Sequence, residues 1–155
     1  MMKNINYEDK IETIFKELHI KYKILNIPDD DDINYIVNIN AFGKLKSLDS
    51  IRGIIYFSID NFTMNLIIPK VYRCGINEGL DSLDVFEIIN DINSSLLYGN
   101  FLIEDEEVYF RSSFNCGENF SILKRDLLEN QIDNFFKGLA MLFVLIKRRK
   151  NQNEE

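Results

Sequence analysis

Apolar and polar positions alternate with a period of two along residues 33–41. Ile33, Tyr35, Val37, Ile39 and Ala41 fall on one side, and Asn34, Ile36, Asn38 and Asn40 on the other. One apolar and one mainly polar face predict a strand of an antiparallel sheet covered on one side only. The period recurs over 53–59 and 62–68, where Phe62, Met64, Leu66 and Ile68 oppose Thr63, Asn65 and Ile67. Asp60-Asn61 between them suits a tight turn. Pro69 marks either a strand end or a position without a ladder hydrogen bond. Residues 22–27, stopped by Pro28, are a short strand or an extended connection, and 43–50 are a polar connection.

Elsewhere the period is helical. Ile11, Ile14, Phe15 and Leu18 form the stripe of a first helix over 7–18, with Asn6 as its cap. Val85, Ile89, Ile92 and Leu96 form the stripe of a second, capped by Ser82 or Asp81 and ended by Gly99 as the residue past the last turn. Phe101 and Ile103, then Val108 and Phe110, resume the period of two around Glu104-Asp105-Glu106-Glu107, which predicts a hairpin. After a loop over 117–122, a final helix is expected over 124–147. Its run Leu139 to Ile146 is wholly apolar, which predicts burial on two faces, the second against the first helix or a second subunit. The whole predicts an α+β fold of order α-β-β-β-α-β-β-α: one domain over 1–150, an antiparallel sheet covered by helices on one face, and a frayed tail over 151–155.

The paired Asn90 and Asn93 near a helix end, then Tyr98-Gly99-Asn100-Phe101, an acidic turn and Val108-Tyr109-Phe110-Arg111 resemble the YbjN-like domains. The resemblance is sharpest over residues 88–111. It implies a bacterial protein with the fold of type III secretion chaperones, in which a helix, a three-strand meander, a helix, a hairpin and a helix follow in that order. It also implies a binding module rather than a reaction. Chaperones of that fold hold extended segments of their clients and commonly dimerise through the second helix and the hairpin, here Leu96, Leu97 and Tyr98.

Composition narrows the choice. A chain of 155 residues buries enough surface for a core without disulfides or metal. A net charge of −7 opposes a general nucleic-acid role and allows a basic partner. Lys147-Arg148-Arg149-Lys150 complements the dipole of the last helix rather than forming an anion-binding patch. A membrane span needs about 20 apolar residues, which the last helix lacks. The N-terminus has no signal-peptide core, so the chain reads as cytoplasmic. Cys74 and Cys116 sit in similar contexts at predicted strand ends, where they could be near each other, and read as reduced thiols without zinc spacing.

Little in the sequence suggests catalysis. It carries one histidine, His19, and no GxSxG, P-loop or GxGxxG motif. The acidic runs Asp29–Asp32 and Glu104–Glu107 lack calcium-loop spacing and read as solvated, the first as a disordered loop. No catalytic, metal or cofactor residue is assigned, and the chain is expected not to be an enzyme. Asn90 and Asn93 either bind a partner or hydrogen-bond the exposed backbone of the helix–hairpin corner; orphan carbonyls there favour the second reading. Two functions remain. One is a chaperone-like or adaptor module holding a polypeptide on its sheet or hairpin, with Asn90, Asn93, Leu97, Tyr98, Tyr109 and Arg111 as candidate contacts and a homodimer expected. The other is a small-molecule-responsive regulatory domain of the sensory-transduction kind, which requires a pocket between helix and sheet.

Overall fold

The computed structural model describes residues 6–41, 50–75 and 79–154. Most of the expected 43–50 connection therefore lies outside the described residues. The elements are α1 (Tyr7–Glu17), β1 (Lys21–Leu25), β2 (Ile33–Ile39), β3 (Ile51–Ser58), β4 (Thr63–Arg73), α2 (Ser82–Asn93), β5 (Asn100–Glu104), β6 (Glu107–Asn115) and α3 (Arg125–Asn153), with one 3-10 turn over Glu118–Phe120. All strand pairs are antiparallel, in the spatial order β1-β2-β3-β4-β6-β5. The expected α+β architecture is present, with residues 21–25 as a full strand rather than a connection.

Local chemistry explains the boundaries. The Asn6 side chain accepts the Asp9 N–H and opens α1. His19 closes it in the left-handed region, at φ 56°, donating its N–H to Lys16 while Ile20 donates to Phe15, which is a Schellman stop. The lone histidine is thus a turn residue. Asp81 caps α2 at 2.9 Å from the Asp84 nitrogen. The β5–β6 turn places Asp105 and Glu106 at φ 50° and 66°, the positive values that a two-residue hairpin of matching twist requires. β4 runs on past Pro69 through a bulge between Ile68 and Tyr72. Pro69 therefore marks the position without a ladder bond, not the strand end.

The helices pack on one face of the sheet. Tyr35, Ile55, Leu66, Phe57, Met64 and Phe110 point into that core and are fully buried. Phe15 of α1 meets Tyr35 edge-on at 5.0 Å, and Phe135 of α3 meets Phe110 at 5.0 Å and Phe101 at 6.0 Å. The buried residues of all elements make one core.

Several expectations are corrected here. α2 ends at Asn93, short of Leu96, because Ser94 and Ser95 turn their hydroxyls back onto the carbonyls of Asp91 and Ile92. Gly99, at φ 72°, is needed for a different reason. A Cβ there would lie 2.6 Å from the Arg111 carbonyl, so only glycine lets the corner approach β6. Cys74 and Cys116 are buried and free, but they follow opposite ends of β4: Cys116 donates its N–H to Phe62 before the strand, and Cys74 lies beyond Arg73. At about 3.3 Å per residue the strand holds them roughly 30 Å apart. The Asp29–Asp32 loop has defined hydrogen bonds: Asp30 accepts from the Asp32 N–H and the Asn34 amide, both at 2.9 Å, and Asp32 accepts from the Ile59 N–H. Residues 151–153 are helical rather than frayed, and the Asn153 amide reaches Asp84 at 3.5 Å. No described helix is long and apolar enough to cross a membrane.

Candidate functional site

The six candidate contacts lie on two surfaces. Asn90, Asn93, Leu97 and Tyr98 sit at the α2–β5 corner on the helical side. Tyr109 and Arg111 face outward from β6, on the other side of the sheet.

At the corner, the Asn93 amide grips the backbone of Phe101 twice. Its Nδ2 donates to the Phe101 carbonyl at 2.9 Å, and its Oδ1 accepts the Phe101 N–H at 2.8 Å. The second of the two readings therefore holds for Asn93. Asn90 is exposed on α2 and takes no part in this grip. An amide that the sequence reading passed over completes the corner. Asn134 of α3 accepts the Leu97 N–H at 3.2 Å and donates to the Tyr98 carbonyl. Asn134 stands beside the apolar stripe of a long helix, and that placement of a short amide was the available signal.

Between this corner and α3 runs an open groove of about 600 Å³, lined in part by Leu96, Leu97, Tyr98, Asn134, Lys137 and Met141. Leu97 is 84% exposed. The groove continues through Met141 into an apolar strip of Ala140, Met141, Val144 and Leu145. Here the apolar run of α3 departs from expectation. Phe135, Phe136, Leu139, Leu142 and Ile146 are buried, and the second face is closed by α2 far more than by α1. Met141, Phe143 and Val144 stay 40–50% exposed. The basic run is divided as well. Arg149 pairs with Asp84 at 2.9 Å and Glu87 at 3.1 Å, and those hydrogen bonds, that of Glu87 foremost, raise its pKa. Lys150 lies over the Tyr72 ring at 5.9 Å.

The other surface is the sheet face turned away from the helices. The register sets Lys23, Ile36, Ile54, Ile67, Arg111 and Asn100 in one row across all six strands. Ile36, Ile54 and Ile67 are only half-buried. The neighbouring row is Leu25, Asn34, Tyr56, Asn65 and Ser113. Asn34 and Asn65 are buried within it, satisfied by Asp30 and by the hydroxyls of Thr63 and Ser113. Toward the hairpin a shallow hollow of about 380 Å³ is lined by Ile67, Pro69, Lys70, Tyr109 and the carboxylates of Glu104, Asp105 and Glu107.

Burial raises the Cys116 thiol and the Tyr35 phenol, and both belong to the core rather than to either surface. No group of three or more His, Cys, Asp or Glu among the described residues is placed to hold a metal. The site thus defines an α+β protein with one sheet face open and a mixed polar and apolar groove beside its last helix. Comparison with family models, curated proteins and solved structures found no match for this chain.

Proposed function

We propose that the chain is a non-enzymatic protein-binding module, chaperone-like or adaptor in character, that holds a polypeptide on the open face of its sheet. One observation carries this reading: the cross-strand row Ile36, Ile54 and Ile67 presents branched apolar side chains on a face that no described helix covers. Single apolar residues at the surface are ordinary, but three half-buried ones side by side on a sheet form a contiguous patch of the kind that marks interaction surfaces. Tyr109 and Arg111 adjoin the row. The resemblance of residues 88–111 to YbjN-like domains points the same way. The acidic runs serve structure instead: Asp30 and Asp32 accept backbone and amide donors. The small-molecule reading needs a pocket between helix and sheet, whereas the groove of about 600 Å³ described above lies between α3 and the corner.

The test is binding of extended polypeptide, such as reduced carboxymethylated lactalbumin, measured by fluorescence anisotropy. Ile54→Gln should weaken it about tenfold while leaving circular dichroism and the urea midpoint near those of the parent. Unchanged binding by a folded Ile54→Gln would overturn the reading. Thermal stabilisation by a small metabolite without polypeptide binding would favour a regulatory domain.

The second surface supports a homodimer. Leu97, Met141 and Val144, which belong to the two dimer routes expected from the sequence, line a mixed polar and apolar groove and the apolar strip that shares Met141 with it.

A further inference from the structure

The charges on the open sheet face run against those of the chain. The protein carries a net −7, yet the outward positions of β1, β3 and β6 around the isoleucine row are Lys21, Lys23, Arg52 and Arg111, all exposed. The register sets their neighbours. Lys23 pairs with Ile36, Arg111 with Ile67, and Lys21 and Arg52 both pair with Asn38 in the next row. No carboxylate among the described residues forms an ion pair with any of these four; the ion pairs there belong to Arg125 and Arg149. Of the acids at this face, Glu104, Asp105 and Glu107 gather at the hairpin end beside Lys70, and Asp30 is held by the Asn34 amide in the neighbouring row.

From this we infer that the open sheet face takes an extended acidic segment, apolar at its centre and carboxylate-bearing at both ends, laid across the strands along the row from Lys23 to Arg111. The inference rests on the protein-binding reading and adds the chemistry of the partner. The geometry sets its length. Four strand spacings of about 4.8 Å separate β1 from β6, roughly 19 Å, which an extended chain spans in about six residues. Ile36, Ile54 and Ile67 meet the apolar centre, while Lys23, with Lys21 beside it, faces one carboxylate end and Arg111 faces the other; Arg52 lies two residues from Ile54, alongside the centre. Desolvation under the bound segment strengthens both charged contacts relative to open water. A basic segment would meet the same cations with like charge and be rejected. The carboxylates at the hairpin end set the polarity of the face by repelling any acidic extension in that direction.

The experiment uses the full chain and three fluorescent peptides of about nine residues. They share an alternating Val-Thr-Ile-Thr-Val centre and carry paired acids, paired serines or paired lysines at both ends. The acidic peptide should bind about tenfold tighter than the serine one at low salt, and that lead should fade near 0.5 M salt. The lysine peptide should bind weakest. In the double variant Lys23→Glu/Arg111→Glu, whose positions are exposed and tolerate charge without unfolding, the order of acidic and lysine peptides should reverse. Equal binding of all three peptides would overturn the inference and leave the protein-binding reading standing. Binding of none would remove both. Preference for the acidic peptide that survives the double charge reversal would place its site elsewhere and overturn the inference as well.

Discussion

Replacing Asn93 by alanine separates the two asparagines that look alike in the sequence. The Asn93 amide makes two hydrogen bonds of ordinary length to the backbone of one residue, the N–H and C=O of Phe101, at 2.8 and 2.9 Å. Asn93 is half-buried, and the Phe101 side chain on the same residue is fully buried. Truncation leaves a donor and an acceptor unpaired, at about 1–3 kcal/mol each where water cannot reach and nearer 1 where it can. The expected loss is therefore about 2–4 kcal/mol, a large part of the 5–15 kcal/mol typical of a whole domain. Urea unfolding followed by circular dichroism measures it, with an unchanged slope expected because the core stays intact. Hydrogen exchange supplies a local readout: the Phe101 amide should lose protection in the variant. Asn90→Ala is the control. That side chain is exposed and joins no clamp, so its replacement should change stability by less than about 0.5 kcal/mol. A loss below about 0.5 kcal/mol for Asn93→Ala, or a Phe101 amide that stays protected, would refute the reasoning.

Tyr35→Phe should stabilise the protein by about 1 kcal/mol at neutral pH, because the buried Tyr35 hydroxyl has no hydrogen-bond partner among the described residues. Burial, with Glu12 and Glu8 adding, raises the phenol above its ordinary value near 10, so the neutral form favours the fold and this contribution is complete below that pH. It is lost as pH rises from there toward the folded value, so the lead of Tyr35→Phe should widen above pH 10; urea midpoints at pH 7 and 10.5 that show the variant less stable would count against it. The proposed dimer should scatter light at about twice 18.3 kDa at tens of micromolar protein. Val144→Lys and Leu97→Lys should each return it to the monomer mass, because Leu97 lines the groove and Val144 the strip that shares Met141 with it; a parent mass of 18.3 kDa removes the dimer.

The strands of β2 and β4 were legible because every second residue, Tyr35, Val37 and Ile39 or Met64, Leu66 and Ile68, is apolar and buried. β1 was ambiguous because Lys21, Lys23 and Ile24 are all exposed, so burial leaves no period of two to read. The end of α2 was misplaced because Leu96 continues its apolar spacing. The stop is written instead in Ser94-Ser95 and in a hydrogen bond from the Asn93 side-chain amide to a strand eight residues on. The apolar run of α3 showed that burial was needed, but not that α2 would supply most of it, since pairwise helix packing is a tertiary choice. On the site, the sequence placed Asn93 at a junction and Tyr109 and Arg111 on an outward face. It did not reveal that these face opposite sides of the molecule. Nor did it reveal the row formed by Lys23, Ile36, Ile54, Ile67 and Arg111, because registers among strands far apart in the chain are set only by folding.

The Asn93 clamp has a consequence beyond stability. β5 is the outermost strand on its side, and the backbone N–H and C=O of Phe101 point away from β6 toward Asn93 of α2. The Asn93 amide occupies the place a neighbouring chain's peptide would take, with the same donor and acceptor. Sheet extension by a stray strand is therefore blocked at the middle of that margin. The opposite margin belongs to β1, where Lys21 and Lys23 add charge that disfavours stacking of copies. Under the proposed polypeptide-binding role both guards matter, because a surface that attracts an extended client also invites fibrous self-association. Loss of the single Asn93 amide would remove one of them.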